Sequence, residues 1–320
     1  MIDYHHAHLD DFKAIQKFIK DYWSHDHILS NDDEVFSHFF LSQKNLQFFI
    51  AKESDGDILG ILGYITYTQF DTNLNSDIAW LSMWMSKPAQ KEPVGIKLIQ
   101  CLEESLDVDY VASIGVGDQV IPLYHRMGYD TGQMIHLMKP VKEKSNNRTS
   151  NFTITDAQDK SNEGTSKKYK SDAYIKEKYL RKKFYDYANF YIYEDNNHLA
   201  TIVGRVLYDL NSKKNIFRIV DFAGDKKGIS IFAKYASFDK FQQKIDFIDV
   251  LLSDDSFLEE DTFETCSSQN YLPLYFEPFI SEYRKKNYCF KKLNNDITQD
   301  LLIITGDCDQ ERPNKRYNSF

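Results

Sequence analysis

The stretch Met85–Lys97, MSKPAQKEPVGIK, holds the residues best suited to gripping an anion. It leaves a strand-like pattern, Asp77–Met85, and enters a helix-like one, Gly95–Leu106. Ile96, Ile99, Leu102 and Leu106 share one face of that helix, with Glu103 and Glu104 turned away. A strand–loop–helix junction gathers unpaired backbone N–H groups and a positive dipole end at one point, which suits a diphosphate. Gly95 removes a side chain where a phosphate would approach, and Lys87, Lys91 and Lys97 add charge. Pro93 has no N–H and offers no such contact. Three other groups could do chemistry. His25-Asp26-His27 is a possible metal pair, but no third ligand accompanies it. Asp221 ends the apolar run Arg218–Phe222, where a carboxylate needs a partner. Tyr271–Phe279, YLPLYFEPF, offers the faces of Tyr275 and Phe276 for stacking on a nucleobase. The plain alternatives stand beside these: strand-end aspartates commonly cap or pair, and aromatic clusters commonly form core.

Positioning such groups needs a substantial scaffold. The 320 residues suffice for two domains, each with its own core. The chain is 42% hydrophobic, with 21 Tyr and 23 Phe, which marks it as globular. A net charge of −9 argues against a general nucleic-acid binder, because phosphate binding needs a basic surface. The N-terminus MIDYHHAHLDDFK has no signal-peptide pattern, and no apolar run reaches membrane-spanning length. Cys101, Cys266, Cys289 and Cys308 lack metal-type spacing and read as reduced thiols. The expectation is a cytoplasmic protein with small-molecule substrates and no nucleic-acid or membrane partner. Its oligomeric state, monomer or dimer, is open.

The elements follow in order. Ile2–His5 reads as a strand, Leu9–Trp23 as an amphipathic helix and Glu34–Leu41 as a second helix. Leu46–Ala51 and Ile58–Tyr67 form a hairpin around Ser54-Asp55-Gly56-Asp57. Ile78–Met85 is the strand before the loop. Val108–Ile114, Gln119–Met127 and Met134–Met138 then read as strand, helix and strand. Residues 143–172 are polar and almost free of apolar periodicity, a linker or flap. Beyond a helix at Ala173–Tyr185, the strands Phe190–Tyr193, Leu199–Leu207 and Ile216–Phe222, the helix Ile229–Phe241 and the strand Ile245–Leu252 repeat the middle of the first half. The expected domains are 1–142, 143–172 as linker, 173–306, and a frayed polar tail at 307–320.

With that order in place, Gln90-Lys91-Glu92-Pro93-Val94-Gly95 resembles the Gln/Arg-x-x-Gly-x-Gly/Ala loop of the GNAT superfamily of N-acyltransferases, with Pro93 in place of the middle glycine. Tyr124-His125-Arg126-Met127-Gly128-Tyr129 resembles that superfamily's Tyr-x-x-x-Gly-Phe/Tyr helix end. The resemblance implies an α/β (α+β) fold of tandem GNAT-like domains, each a mixed, mostly antiparallel sheet flanked by helices, the second copy degenerate. It implies that Met85, Ser86, Gln90, Lys91, Val94, Gly95, Ile96 and Lys97 hold an acyl-coenzyme A thioester, with no metal. It makes Tyr124 the general acid toward the departing thiolate. The loop of His25 and His27 then flanks the acceptor, with His27 as base or orienting group. Asp221 is a second candidate base.

Tyr22-Trp23 followed by His27-Ile28-Leu29, Trp80 and Trp84 before the loop, and Ile219-Val220-Asp221-Phe222 in the second copy narrow the likeness. The chain resembles two-domain sugar N-acyltransferases of surface-polysaccharide (O-antigen) biosynthesis. That likeness implies transfer of an acetyl or 3-hydroxybutanoyl group to a nucleotide-linked, dTDP-type 3-amino-3,6-dideoxyhexose, with His25, Trp84, Tyr275 and Phe276 contacting the acceptor. The alternatives are a Fem-type transferase using aminoacyl-tRNA and a non-catalytic sugar- or protein-binding scaffold.

Overall fold

The computed structural model describes residues 2–43, 45–88, 92–141, 151–156, 170–182, 184–274, 283–298 and 301–314. The chain divides into two units. The first comprises Met1–Thr131, Tyr288–Gln299 and Cys308–Phe320, the second Gly132–Asn287 and Asp300–Asp307.

In the first unit, β1 (Ile2–His6) leads to three helices, α1 (Phe12–Tyr22), α2 (Ile28–Asn31) and α3 (Asp33–Phe40). Asp32 starts α3 by accepting from the N–H groups of Glu34 and Val35. The small ladder β2 (Leu41–Ser42) and β3 (Asn45–Leu46) precedes β4 (Phe48–Glu53), β5 (Ile58–Thr66) and β6 (Ile78–Ser86). Then come α4 (Val94–Ser105), β7 (Tyr110–Val116), α5 (Ile121–Arg126) and β8 (Asp130–Gln133). Every residue of β5 is buried, as befits a strand with neighbours on both edges. Val94, Leu98, Ile99 and Leu102 of α4 pack on the sheet, a stripe shifted from the expected one because the helix begins at Val94. Glu103 does not turn away: it accepts from Tyr129 Oη and Lys291 Nζ.

The second unit contains β9 (Ile135–Pro140), β10 (Phe152–Thr155), α6 (Asp172–Ile175) with a π-helical turn at Lys176–Leu180, β11 (Tyr187–Glu194), β12 (Asn197–Asp209) and β13 (Lys214–Gly224). It continues through α7 (Gly228–Tyr235), β14 (Phe247–Leu252) and β15 (Glu264–Thr265). The last strand among the described residues, β16 (Asn287–Lys292), does not belong to this second sheet. The first sheet runs β1-β4-β5-β6-β7-β16-β8 and the second β10-β11-β12-β13-β14-β9-β15.

One strand therefore sits away from its expected sheet, and another was not expected at all. β9, expected to finish the first domain, pairs antiparallel with β14. β16 takes the place between β7 and β8. The boundary at 142 is corrected accordingly, and the 143–172 linker is corrected in part, since β10 pairs with β11. The tail is corrected too: Cys308, Asp309 and Glu311 are buried. An apolar alternation sets which face of a strand is buried but not which sheet receives it.

Both sheets fork. β6 and β7 pair in parallel only from Ile78/Tyr110 to Trp80/Ala112, and β13 and β14 only from Ile216/Phe247 to Arg218/Asp249. In the second unit the backbone of residues 303–307 fills the fork, with Gly306 N–H on Val220 O (2.7 Å) and Thr305 N–H on Leu251 O (3.2 Å). A Cβ on Gly306 would lie 2.6 Å from that same carbonyl, so only glycine fits. At the mouth of this fork Arg218 and Asp249 form a fully buried ion pair, joined by His136.

Candidate functional site in the first unit

The fork between β6 and β7 gathers most of the described candidates. β6 bends there: Met83 has φ +50°, and the β5–β6 register slips between Ile61/Met85 and Gly63/Ser82. Such an irregularity re-aims the side chains that follow. Trp84 consequently reaches α4, donating its indole N–H to Gly95 O at 3.0 Å. A Cβ on Gly95 would meet that indole at 3.1 Å. The space freed by Gly95 is thus lined by Trp84 rather than left bare. Pro93 precedes α4 as its N-cap, and no side chain among the described residues caps this end. The Gly95 and Ile96 N–H groups occupy the orphan first-turn positions of a 12-residue helix. Lys97 pairs with Glu92 (2.6 Å) and Lys87 with Asp57, while Met85 and Ser86 end β6 beside them. Gln90 and Lys91 lie outside the described residues.

Tyr124 stands on α5. Pro122 occupies the helix's first turn, and Gly128 at φ +83° ends it as its left-handed closing residue. The phenol is 3% exposed, its ring meeting Trp84 at 5.8 Å and Tyr129 at 5.0 Å, edge to face. Its hydroxyl pairs with the Cys289 thiol of β16. Burial, reinforced by Cys289, raises the phenol well above its ordinary pKa. Burial pushes the Cys289 thiol up to about 12. Both groups are therefore protonated at neutral pH.

His27 caps α2: its Nδ1 accepts from Leu29 N–H at 3.3 Å. Burial, with the nearby Arg312 guanidinium, pushes its pKa down to about 4. A neutral imidazole whose Nδ1 lone pair is engaged carries its proton on Nε2, so His27 offers a donor. His27 is thus held neutral, with Nδ1 engaged by the backbone of its own turn. His25, on the same turn, is exposed and pairs with Asp26 at 3.0 Å.

The sequence reading missed residues 308–312. The Cys308 thiol donates to Leu81 O of β6 at 3.4 Å and Gln310 Nε2 to Ile114 O of β7 at 3.4 Å, so this segment spans the fork. Asp309 accepts from Arg312 Nε at 3.0 Å. Only the mixed polarity of Cys308-Asp309-Gln310-Glu311-Arg312, ending in Pro313, distinguished it from a solvated tail.

Asp221 belongs to the second unit. There it is fully buried, accepting from Lys170 Nζ (2.6 Å), Tyr174 Oη (3.2 Å) and Tyr179 Oη (2.8 Å). Lys170 also pairs with Asp307 at 2.6 Å. Although burial favours the neutral amine, the two carboxylates hold Lys170 above its ordinary pKa. Asp221 is thus corrected from candidate base to a member of a buried ionic network. Tyr275 and Phe276 lie outside the described residues. Among the described residues, no group of three or more His, Cys, Asp or Glu is arranged for a metal, and no helix is long and apolar enough to cross a membrane.

No family model and no curated protein matches the sequence. Solved structures do match in fold. A GCN5-related N-acetyltransferase from Anabaena variabilis superposes with a TM-score of 0.57 at 12% identity, over 92% of this chain and 73% of its own. A conserved protein of unknown function from Enterococcus faecalis gives 0.55 at 10% identity, over 91% and 72%. The fold is that of the GCN5-related N-acetyltransferases. It is present here as two GNAT-like units, each built on a mixed sheet flanked by helices.

Proposed function

We propose that the protein is an acyl-coenzyme A-dependent N-acyltransferase whose reaction takes place in the first unit. The observation that carries this reading is the uncapped start of α4 at the end of a bent β6, beside a fork where Tyr124 is held in a dry aromatic setting. In this reading the Gly95 and Ile96 N–H groups, with Lys97 released from Glu92 and with Gln90 and Lys91 of the loop, receive the diphosphate. Met85, Ser86 and Val94 flank the pantetheine. The amine nitrogen attacks the thioester carbonyl, the C–N bond forms and the C–S bond breaks. Tyr124 donates its proton to the departing thiolate, and the proton lost by the amine leaves through water. The burial that raises the phenol raises the thiolate's proton affinity as well, so the transfer stays matched.

For the acceptor we propose the amine of a nucleotide-linked, dTDP-type amino deoxysugar, with acetyl or 3-hydroxybutanoyl as the acyl group. This finer reading rests on the sequence likeness at Tyr22-Trp23 and His27-Ile28-Leu29. Calorimetry with coenzyme A tests the transferase. Micromolar binding supports it, and no binding to well-folded protein removes it. A thermal-shift comparison of dTDP, UDP and tRNA tests the acceptor. A shift with tRNA but not with either nucleotide overturns the sugar reading.

A further inference from the structure

The two forks are treated differently by the end of the chain. Residues 303–307 bind the second with main-chain bonds of 2.7 and 3.2 Å. Residues 308–310 reach the first through side chains, among them the Cys308 thiol and the Gln310 amide, each at 3.4 Å and both weak contacts. This crossing brings a carboxylate into the fork. Asp309 is 8% exposed. Burial alone would raise its pKa, but Arg312, helped by the Ser82 hydroxyl and the Cys308 thiol, holds it below the ordinary value, so it is anionic. Arg312 engages Oδ2 through Nε, while on Oδ1 the Cys308 thiol stands at 3.4 Å with its one proton shared between Oδ1 and Leu81 O, so a stronger donor readily replaces it. Ser82 is the β6 residue next to the bend at Met83. His27, on whose ring both Asp309 and Arg312 act, adds a donor from α2.

We infer that the segment Cys308–Arg312 completes the site of the first unit, and that the Asp309 carboxylate receives the protonated primary amine of the acceptor, selecting amines over alcohols. The arriving ammonium takes the place of the thiol on Oδ1 while Arg312 keeps Oδ2. Asp309 is thus a specificity-determining residue that binds the amine before it loses its proton and attacks. This rests on the N-acyltransfer reading above and adds the element that reads the acceptor.

The test uses the full chain with acetyl-coenzyme A and a panel of glucosamine, cadaverine and lysine methyl ester, each set against its hydroxyl counterpart. Thiol release gives turnover, and calorimetry gives coenzyme A affinity. Asp309→Asn is expected to raise the KM for amines at least ten-fold, to leave the coenzyme A Kd within two-fold, and to be largely rescued by Asp309→Glu. An unchanged amine KM in Asp309→Asn overturns the inference. So does a parallel loss of coenzyme A affinity in a folded variant, which makes Asp309 structural. Wild-type protein that binds coenzyme A but neither acylates any amine nor binds cadaverine also overturns it, while leaving the cofactor site standing. Failure to bind coenzyme A at all removes the transfer reading, and this inference with it.

Discussion

The indole N–H of Trp84 lies 3.0 Å from the carbonyl oxygen of Gly95, fastening the end of β6 to the first turn of α4. One bond thereby sets the distance between the strand that would carry the pantetheine and the amides that would carry its diphosphate. Trp84→Phe keeps the ring but removes the donor. A single neutral hydrogen bond contributes about 1 kcal/mol. Urea unfolding should show a loss of that order, and the coenzyme A Kd should rise about five- to ten-fold, as a loss of 1–1.4 kcal/mol implies. Unchanged affinity would mean that the tie does not shape the site.

Tyr124→Phe removes only the hydroxyl bonded to Cys289. In the reading proposed above, kcat should fall by about 10²–10⁴, the usual range for a lost proton donor. Coenzyme A binding should stay within two-fold. Equal turnover in the variant would take the proton-donor role away from Tyr124.

His27 gives a pH signature. Its folded pKa of about 4 lies below the 6.5 of an unperturbed histidine, so the unfolded chain binds the extra proton first. The stability contributed by the neutral ring is complete above pH 6.5 and is lost as pH falls toward 4. Histidine NMR should find no His27 titration near pH 6.5. In His27→Gln, the slope of stability between pH 4 and 6.5 should flatten. A ring that titrates normally contradicts the buried, capping state.

Asp221 separates structure from chemistry. Removing one partner of a buried ion pair costs about 3–5 kcal/mol, because the other charge is stranded. Asp221→Asn should therefore destabilise the second unit on that scale, as it takes one of two carboxylates from the buried Lys170. The kcat of whatever fraction folds should be near that of the wild type. A stable variant with lost turnover would restore a catalytic role to this residue.

Much of the scaffold was legible because periodicity and turn chemistry are local. Gly128 and Pro122 marked the ends of α5, and the Asp55-Gly56 turn marked the β4–β5 hairpin, with Gly56 at φ +91°. The helix that carries Tyr124 was legible from its closing motif, whereas the contact of Tyr124 with Trp84 was not. What escaped was long-range pairing. Nothing near Cys289 announces that its strand neighbours β7, and nothing near Cys308 announces a buried path. The polar side chains of residues 307–312 imitate a solvated tail because each finds its partner far away in sequence, as Cys308 does at Leu81. Asp221 misled for a related reason. A carboxylate on an apolar strand signals a partner, but the partner was a buried lysine rather than a substrate.

The placement of β16 between β7 and β8 also has a consequence for biogenesis. The amino-terminal sheet cannot close while its sixth position waits for residues 287–292, so most of the polypeptide must leave the ribosome first. Nascent chains stalled near residue 200 should expose the flank of β7 to protease and to chaperones, whereas chains stalled well beyond residue 292 should resist. A fragment ending at residue 142 should remain unfolded for want of that one late-arriving strand, however favourable its own sequence.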